Sequence, residues 1–224
     1  DAFLSRLSEW VKTGRIAYPT DGIRKPKKPS LAAQRIADSV LDGIRKHRVL
    51  ALMLGDTSMG MTNGYFGPRL LSTVGFAEHK VDQCWIIDRG RGINAERIKD
   101  AYRFVVDKGV TFHYDKKGEG DFNAAATKEQ LRDYLTVLDL VNEFKTDCVG
   151  WQYQLGLINL RPPSDFAEGL LNSACRPEGN GEVIIDSTEA DQGNLVPMEL
   201  MKRLLEAKGL HPLVMFHAVS WGGE

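Results

Sequence analysis

Arg48-Val49-Leu50-Ala51-Leu52-Met53-Leu54-Gly55-Asp56-Thr57-Ser58 is a short apolar run that breaks into a polar turn. It reads as a buried strand that delivers a polar loop. Upstream, Ser30 can cap a helix carrying Leu31, Ile36, Val40, Leu41 and Ile44 on one side. Downstream the pattern repeats. Lys80 to Asp88 is a second strand candidate ending in Asp88-Arg89-Gly90-Arg91-Gly92, and Asn94 can cap a helix from Ala95 to Lys108. A longer helix starts at Thr127, with Glu129 and Gln130 near the capping-box position, and ends near Lys145. Cys148 to Gln152 is a third strand, Ser164 caps a helix to Asn172, and Glu182 to Asp186 is a fourth strand. A helix from about Leu195 to Ala207 tolerates Pro197 only in its first turn, and Pro212 to Val219 is a fifth strand. The strands are expected near 48–54, 81–87, 147–151, 183–187 and 213–219. This alternation predicts an α/β fold, a mostly parallel sheet with helices on both faces, Rossmann-like. Every strand-to-helix loop then falls at the carboxyl edge, where open sheets of this kind bind ligands.

The first 29 residues stand apart, as a helix over 1–17 followed by a linker with three prolines and the basic cluster Arg24-Lys25-Pro26-Lys27-Lys28. The α/β domain is expected over 30–224. Across 224 residues, 29 Lys and Arg nearly balance 30 Asp and Glu, without the basic excess of a nucleic-acid partner. No apolar run approaches the roughly 20 residues of a membrane span, and no secretory signal opens the chain, so a cytoplasmic protein without a membrane partner is expected. It opens on Asp1 rather than Met, which suggests a processed, trimmed or partial chain. Three scattered cysteines make no disulfide framework or zinc motif; Cys84 and Cys148 lie in apolar runs and are expected buried and reduced.

Gly55 to Gly64 supplies small residues at a strand end, suited to an anion or hydroxylated ligand, or simply to a tight turn. It is not a Walker A loop, no G-x-G-x-x-G fingerprint occurs, and H-E-x-x-H and G-x-S-x-G are absent. Glu189, just beyond the fourth strand, is placed for metal binding or proton transfer, or is an ordinary acidic loop residue. Gln152, ending the third strand, offers a neutral hydrogen-bonding group at the same edge, or a loop hydrogen bond. His217 suits a half-buried strand histidine better than a ligand.

Three stretches together resemble the second domain of L-fucose isomerases, which are metal-dependent aldose–ketose isomerases. They are Leu50 to Gly64 with Ser58-Met59-Gly60 at its centre, Trp151-Gln152 followed by Leu171-Asn172-Ser173, and Thr188-Glu189-x-Asp191 continuing through Asn194, Val196 and Met198. The resemblance covers roughly residues 45 to 224. It implies that Glu189 is both a catalytic carboxylate and a metal ligand, and that Gln152 bonds sugar hydroxyls. The implied cofactor is Mn2+, the implied substrate a monosaccharide of the L-fucose or D-arabinose class, and the implied assembly a homo-oligomer. The family's Phe-x-Asp-Val-Arg strand end is Phe216-His217-Ala218-Val219-Ser220 here, so Ala218 replaces the second carboxylate. The family's C-terminal domain, with its metal histidine, has no counterpart in the sequence. Hence this chain alone is expected to hold no manganese, to turn over no sugar, and to expose an apolar carboxyl edge supplied by Met59, Met61, Trp151 and Trp221. The readings are an isomerase of the L-fucose type, possible only with its further parts; a catalytically silent sugar-binding relative; and an unrelated α/β ligand-binding module.

Overall fold

A computed structural model of the chain describes residues 2–16, 22, 24–56, 64–114, 122–154 and 156–215. The chain divides into two compact units, residues 1–34 and 35–224. The first contains α1 (Ala2–Thr13), shorter than the expected 1–17, with Phe3, Leu4, Leu7, Trp10 and Val11 at helical spacing. It also contains the start of α2 (Leu31–His47), where the Ser30 hydroxyl accepts a hydrogen bond from Ala33 N at 3.2 Å.

In the second unit β1 (Val49–Leu54), β2 (Phe76–Val81), β3 (Cys148–Trp151) and β4 (Ile185–Thr188) pair in parallel, in the order β2-β1-β3-β4. Around them lie α3 (Gly67–Thr73), α4 (Cys84–Gly90), α5 (Ala95–Asp107), α6 (Ala124–Phe144), α7 (Asp165–Leu171) and α8 (Gln192–Ala207). Strand alternation feeds two cores. Leu52, Leu54, Val149 and Trp151 pack with Ile86, Ile98, Leu131, Tyr134 and Leu171, from α4 to α7. On the other face Val49, Ala51, Met53, Cys148 and Ile185 pack with Ile44, Leu71 and Leu195, from α2, α3 and α8. Both faces of the sheet are therefore covered, as a parallel sheet requires. This is a Rossmann-like α/β fold. Among the described residues no helix is long and apolar enough to cross a membrane.

Several boundaries differ from the sequence reading. The second strand is 76–81, not 81–87, and 84–90 is helical. The reason is local: Asp82 Oδ1 accepts from Cys84 N at 2.8 Å and turns the chain into α4. Cys84 consequently sits on a helix start and is exposed, against the expectation of burial, whereas Cys148 is buried. Helix α3 had no counterpart in the reading. Helix α6 starts at Ala124, three residues before Thr127, and is capped by Asn123, whose side chain accepts from Ala126 N at 2.9 Å. Asp191 caps α8, so Pro197 lies in its second turn rather than its first. Ser164 precedes α7 but turns its hydroxyl to Glu168 instead of capping. Of the fifth strand, Val214 forms only an isolated antiparallel bridge with Ser173; residues 216–219 lie outside the described residues.

One side chain fastens the sheet's edge. Asn172, fully buried after α7, donates from Nδ2 to Asp186 O at 2.8 Å and accepts from Asp186 N at 3.0 Å. It thus satisfies both backbone groups of a central β4 residue. Asn172→Ala strands two buried polar groups and should cost about 2–4 kcal/mol. Urea denaturation checks this; an unshifted midpoint at constant slope would show that the pair of bonds contributes nothing.

Candidate functional site

The connection from β1 to β2 runs through α3 on one face, and that from β3 to β4 through α7 on the other. The loops after β1 and β3 therefore part in opposite directions. Neighbouring parallel strands whose loops diverge in this way form the topological switch point at which open α/β sheets bind ligands.

Gly55 and Gln152 occupy that point. Gln152 N donates to Leu54 O at 3.0 Å, and its side-chain Oε1 accepts from Asp56 N at 3.2 Å. Gly55 has φ +89°, and a β-carbon there would lie 2.9 Å from Gln152 Cβ. Only glycine gives both the left-handed turn and the room. Gln152 is buried, with its Oε1 engaged by Asp56 N.

Glu189 stands one strand further along, half-buried just beyond β4. Glu189 and Ala190 both have left-handed backbone, φ +58° and +54°, as does Tyr153 after β3 at +39°. Ala190 N donates to Trp151 O at 3.1 Å and anchors this turn to β3. Gln154 Nε2 donates to Glu189 Oε1, and also reaches the Tyr153 hydroxyl at 3.3 Å. The structure thus brings Glu189 to the carboxyl edge beside the strand that carries Gln152, joined to it by a second glutamine the sequence reading passed over. The alternating Gln152-x-Gln154 after a strand was the available signal.

The opposite flank is tied together by Gln192, the first residue of α8. Its Oε1 accepts from Phe66 N at 2.8 Å and Gly67 N at 3.0 Å, while Nε2 donates to Glu78 Oε2 at 2.7 Å. Lys80 pairs with Asp56 at 3.3 Å and Glu78 at 3.8 Å, and lies over the Tyr65 ring, 4.7 Å from its centre. Burial opposes the Lys80 charge, but Glu78 and Asp56 outweigh it and raise its pKa.

Behind β4 lie two more carboxyl groups. Glu168 on α7 accepts from the Ser164 hydroxyl; burial, reinforced by Asp165 and Glu189, pushes it up to about 7 despite that bond. Asp186 is buried, and among the described residues neither carboxyl oxygen has a hydrogen-bond partner. Burial and then Glu168 raise it well above the ordinary range.

The remaining residues of the expected site divide. Asp191 accepts from Asn194 N at 3.1 Å as the α8 cap, while Val196 and Met198 are core residues. Trp151, expected to supply exposed apolar area at the edge, is instead buried, because its side chain points into the α4–α7 core. Ser58-Met59-Gly60, Met61, His217, Ala218 and Trp221 lie outside the described residues. Among the described residues no three His, Cys, Asp or Glu side chains are grouped so that they could hold a metal ion. Glu189 alone does not satisfy manganese, which takes about six hard donors. No protein-family model matches the chain, and no curated protein matches it. Fold and site define a Rossmann-like α/β protein with a polar switch point.

Gly55→Ala should shift Gln152 and break its bond to Asp56, lowering stability by about 1–3 kcal/mol through strain and the lost contact. Thermal unfolding with amide NMR of Asp56 checks it. An unmoved Asp56 resonance would show that glycine is not needed there.

Proposed function

We propose that the chain binds a monosaccharide at the carboxyl ends of β1, β3 and β4, within an aldose–ketose isomerase of the L-fucose type. One observation carries the reading: Gln152 and Glu189 follow the adjacent strands β3 and β4 at the carboxyl edge, with Gln154 holding one oxygen of Glu189. Neutral carboxamides suit sugar hydroxyls, which both donate and accept. The held carboxylate keeps Oε2 for the proton. Glu189 takes the proton from the carbon beside the carbonyl, the C–H electron pair forms the carbon–carbon double bond as the carbonyl becomes an oxyanion, the neighbouring hydroxyl gives its proton to that oxygen, and the proton on Glu189 returns at the former carbonyl carbon. Manganese, implied by the resemblance, polarises a carbonyl when bound; it needs donors beyond Glu189.

A second reading, sugar binding without turnover, is favoured by Ala218, since alanine neither coordinates a metal nor accepts a proton. Calorimetry with L-fucose and D-arabinose, with and without manganese, and a ketose assay separate the two. Gln152→Ala should weaken sugar binding about tenfold, the effect of one neutral hydrogen bond. Where turnover occurs, natively or after Ala218→Asp, Glu189→Gln should lower it by about 10²–10⁴ with the fold intact. Turnover surviving Glu189→Gln overturns the assignment of the base. Failure of both sugars to bind leaves the third reading, an unrelated ligand-binding module. Sedimentation velocity tests the proposed homo-oligomer.

A further inference from the structure

β2 is an edge strand, yet the chain that leaves it reaches past β1 to the loop after β3. Gly55 N donates to Val81 O at 2.9 Å, which fastens the exit of β2 to the end of β1. Gln83 follows, half-buried, at the entry to α4. Its backbone is fixed by a tight turn: Asp82 Oδ1 accepts from Cys84 N at 2.8 Å, and Gln83 O accepts from Ile86 N at 3.1 Å. From there the side-chain Nε2 donates to Gln154 O at 3.3 Å. Because β1 lies between β2 and β3, this bond spans the end of the strand that opens into Gly55 and Asp56. The other half of the carboxamide gains nothing. Gln83 Oε1 is buried without a hydrogen-bond partner among the described residues. An unmet buried acceptor is destabilising, and an apolar side chain of similar volume would avoid it. What glutamine adds at this position is the N–H given to Gln154.

Gln154 lies beyond the last residue of β3, Trp151, so the sheet does not fix it. It follows Tyr153, whose backbone is left-handed at φ +39°, and its own N donates back to Gln152 O. Its carboxamide Nε2 donates to Glu189 Oε1 and reaches the Tyr153 hydroxyl at 3.3 Å. Backbone carbonyl and carboxamide are thus both engaged, and the contacts run in one line from the entry of α4 through Gln154 to the turn after β4. We propose that Gln83 is a positioning residue: by holding the Gln154 carbonyl it keeps the Gln154 carboxamide aimed at Glu189, and so sets the direction of that carboxylate. The proposal rests on reading Glu189 as the carboxylate of the site. Its test uses no sugar, so failure of sugar binding and failure of the positioning role are separate results.

The full chain carrying Gln83→Met, which keeps the volume and loses the donor, is compared with the wild type by NMR. The Gln154 side-chain amide protons should exchange with solvent about tenfold faster, the effect of one neutral hydrogen bond. The ¹³C carboxyl resonance of Glu189 should move in the same variant, while the amide resonances of β1 and β2 stay in place. Gln83→Asn, whose carboxamide is drawn back by one methylene, is the second variant should the first fail to fold, and should act alike. Gln154→Ala keeps the backbone carbonyl but lacks the carboxamide. In that background Gln83→Met should leave the Glu189 resonance where Gln154→Ala alone puts it. Unmoved Gln154 and Glu189 resonances in a folded Gln83 variant overturn the proposal. A Glu189 shift of the same size in the Gln154→Ala background also overturns it, since Gln83 then acts by another route. Shifts spread over the amides of β3 and β4 overturn it as well, because they mark general loosening in place of positioning.

Discussion

Where β1 and β3 end, the chain continues their pairing by one more step with a side chain instead of a strand. Leu54 is paired with Trp151, Gln152 N still reaches Leu54 O, and then the Gln152 carboxamide takes Asp56 N. Gly55 makes this possible by turning left-handed and by leaving empty the volume a β-carbon would fill. The two strand ends are thereby held together at the very place where their loops depart for opposite faces. Lys80 then reaches Asp56 from β2, and Gln192 ties the start of α8 to the chain entering α3. Lys80 thus joins β2 to this turn, and Gln192 joins α8 to β2 and to the chain entering α3.

Charge is distributed unevenly around this frame. Away from the site, acids are met by arginine: Arg97 by Asp139 and Glu178, Arg203 by Glu199 and Asp147. Even Asp133, pushed up to about 7 chiefly by burial, has Arg161 at 3.2 Å. At the end of β4 Asp165, Glu168, Asp186 and Glu189 act on one another with no base among them. The outermost, Glu189, has a carboxamide for a partner, which holds a carboxylate without neutralising it. Glu189 is therefore flanked by two carboxyl groups whose pKa values burial raises.

The fold was legible where burial alone decides the local structure. Val49–Leu54 is apolar throughout because both sheet faces are covered, and it was read as a strand at sight. Phe76–Val81 was missed because β2 is an edge strand whose outward positions, His79 and Lys80, are polar. The stronger apolar signal of Trp85-Ile86-Ile87 drew the reading into what is a helix. Helix starts set by Asn123 and Asp191 were displaced inward because hydrophobic periodicity begins after the cap. In the site, Gln152 and Glu189 were visible by position at strand ends, whereas Gln154 and Gln192 act through contacts with residues 35 and 114 to 126 positions away. No local pattern encodes such partners. Asp186 did leave a trace, as a lone acid closing an apolar strand, but that its carboxyl oxygens have no hydrogen-bond partner among the described residues is a tertiary fact.

The motif Thr188-Glu189-x-Asp191 mixes two kinds of requirement, and the structure separates them. Asp191 caps α8 and its carbonyl accepts from the Ser187 hydroxyl at 2.8 Å, so folding alone explains it. Val196 and Met198 fill the core, and Asn172 satisfies β4. Each of these would serve equally in a protein with no ligand. Glu189 is different. Its left-handed backbone costs of order 1–3 kcal/mol, a strain that glycine would relieve. The side chain returns only a hydrogen bond to Gln154 at a half-exposed edge. Glu189 neither caps a helix nor fills the core, and it shares its left-handed backbone with Ala190 beside it.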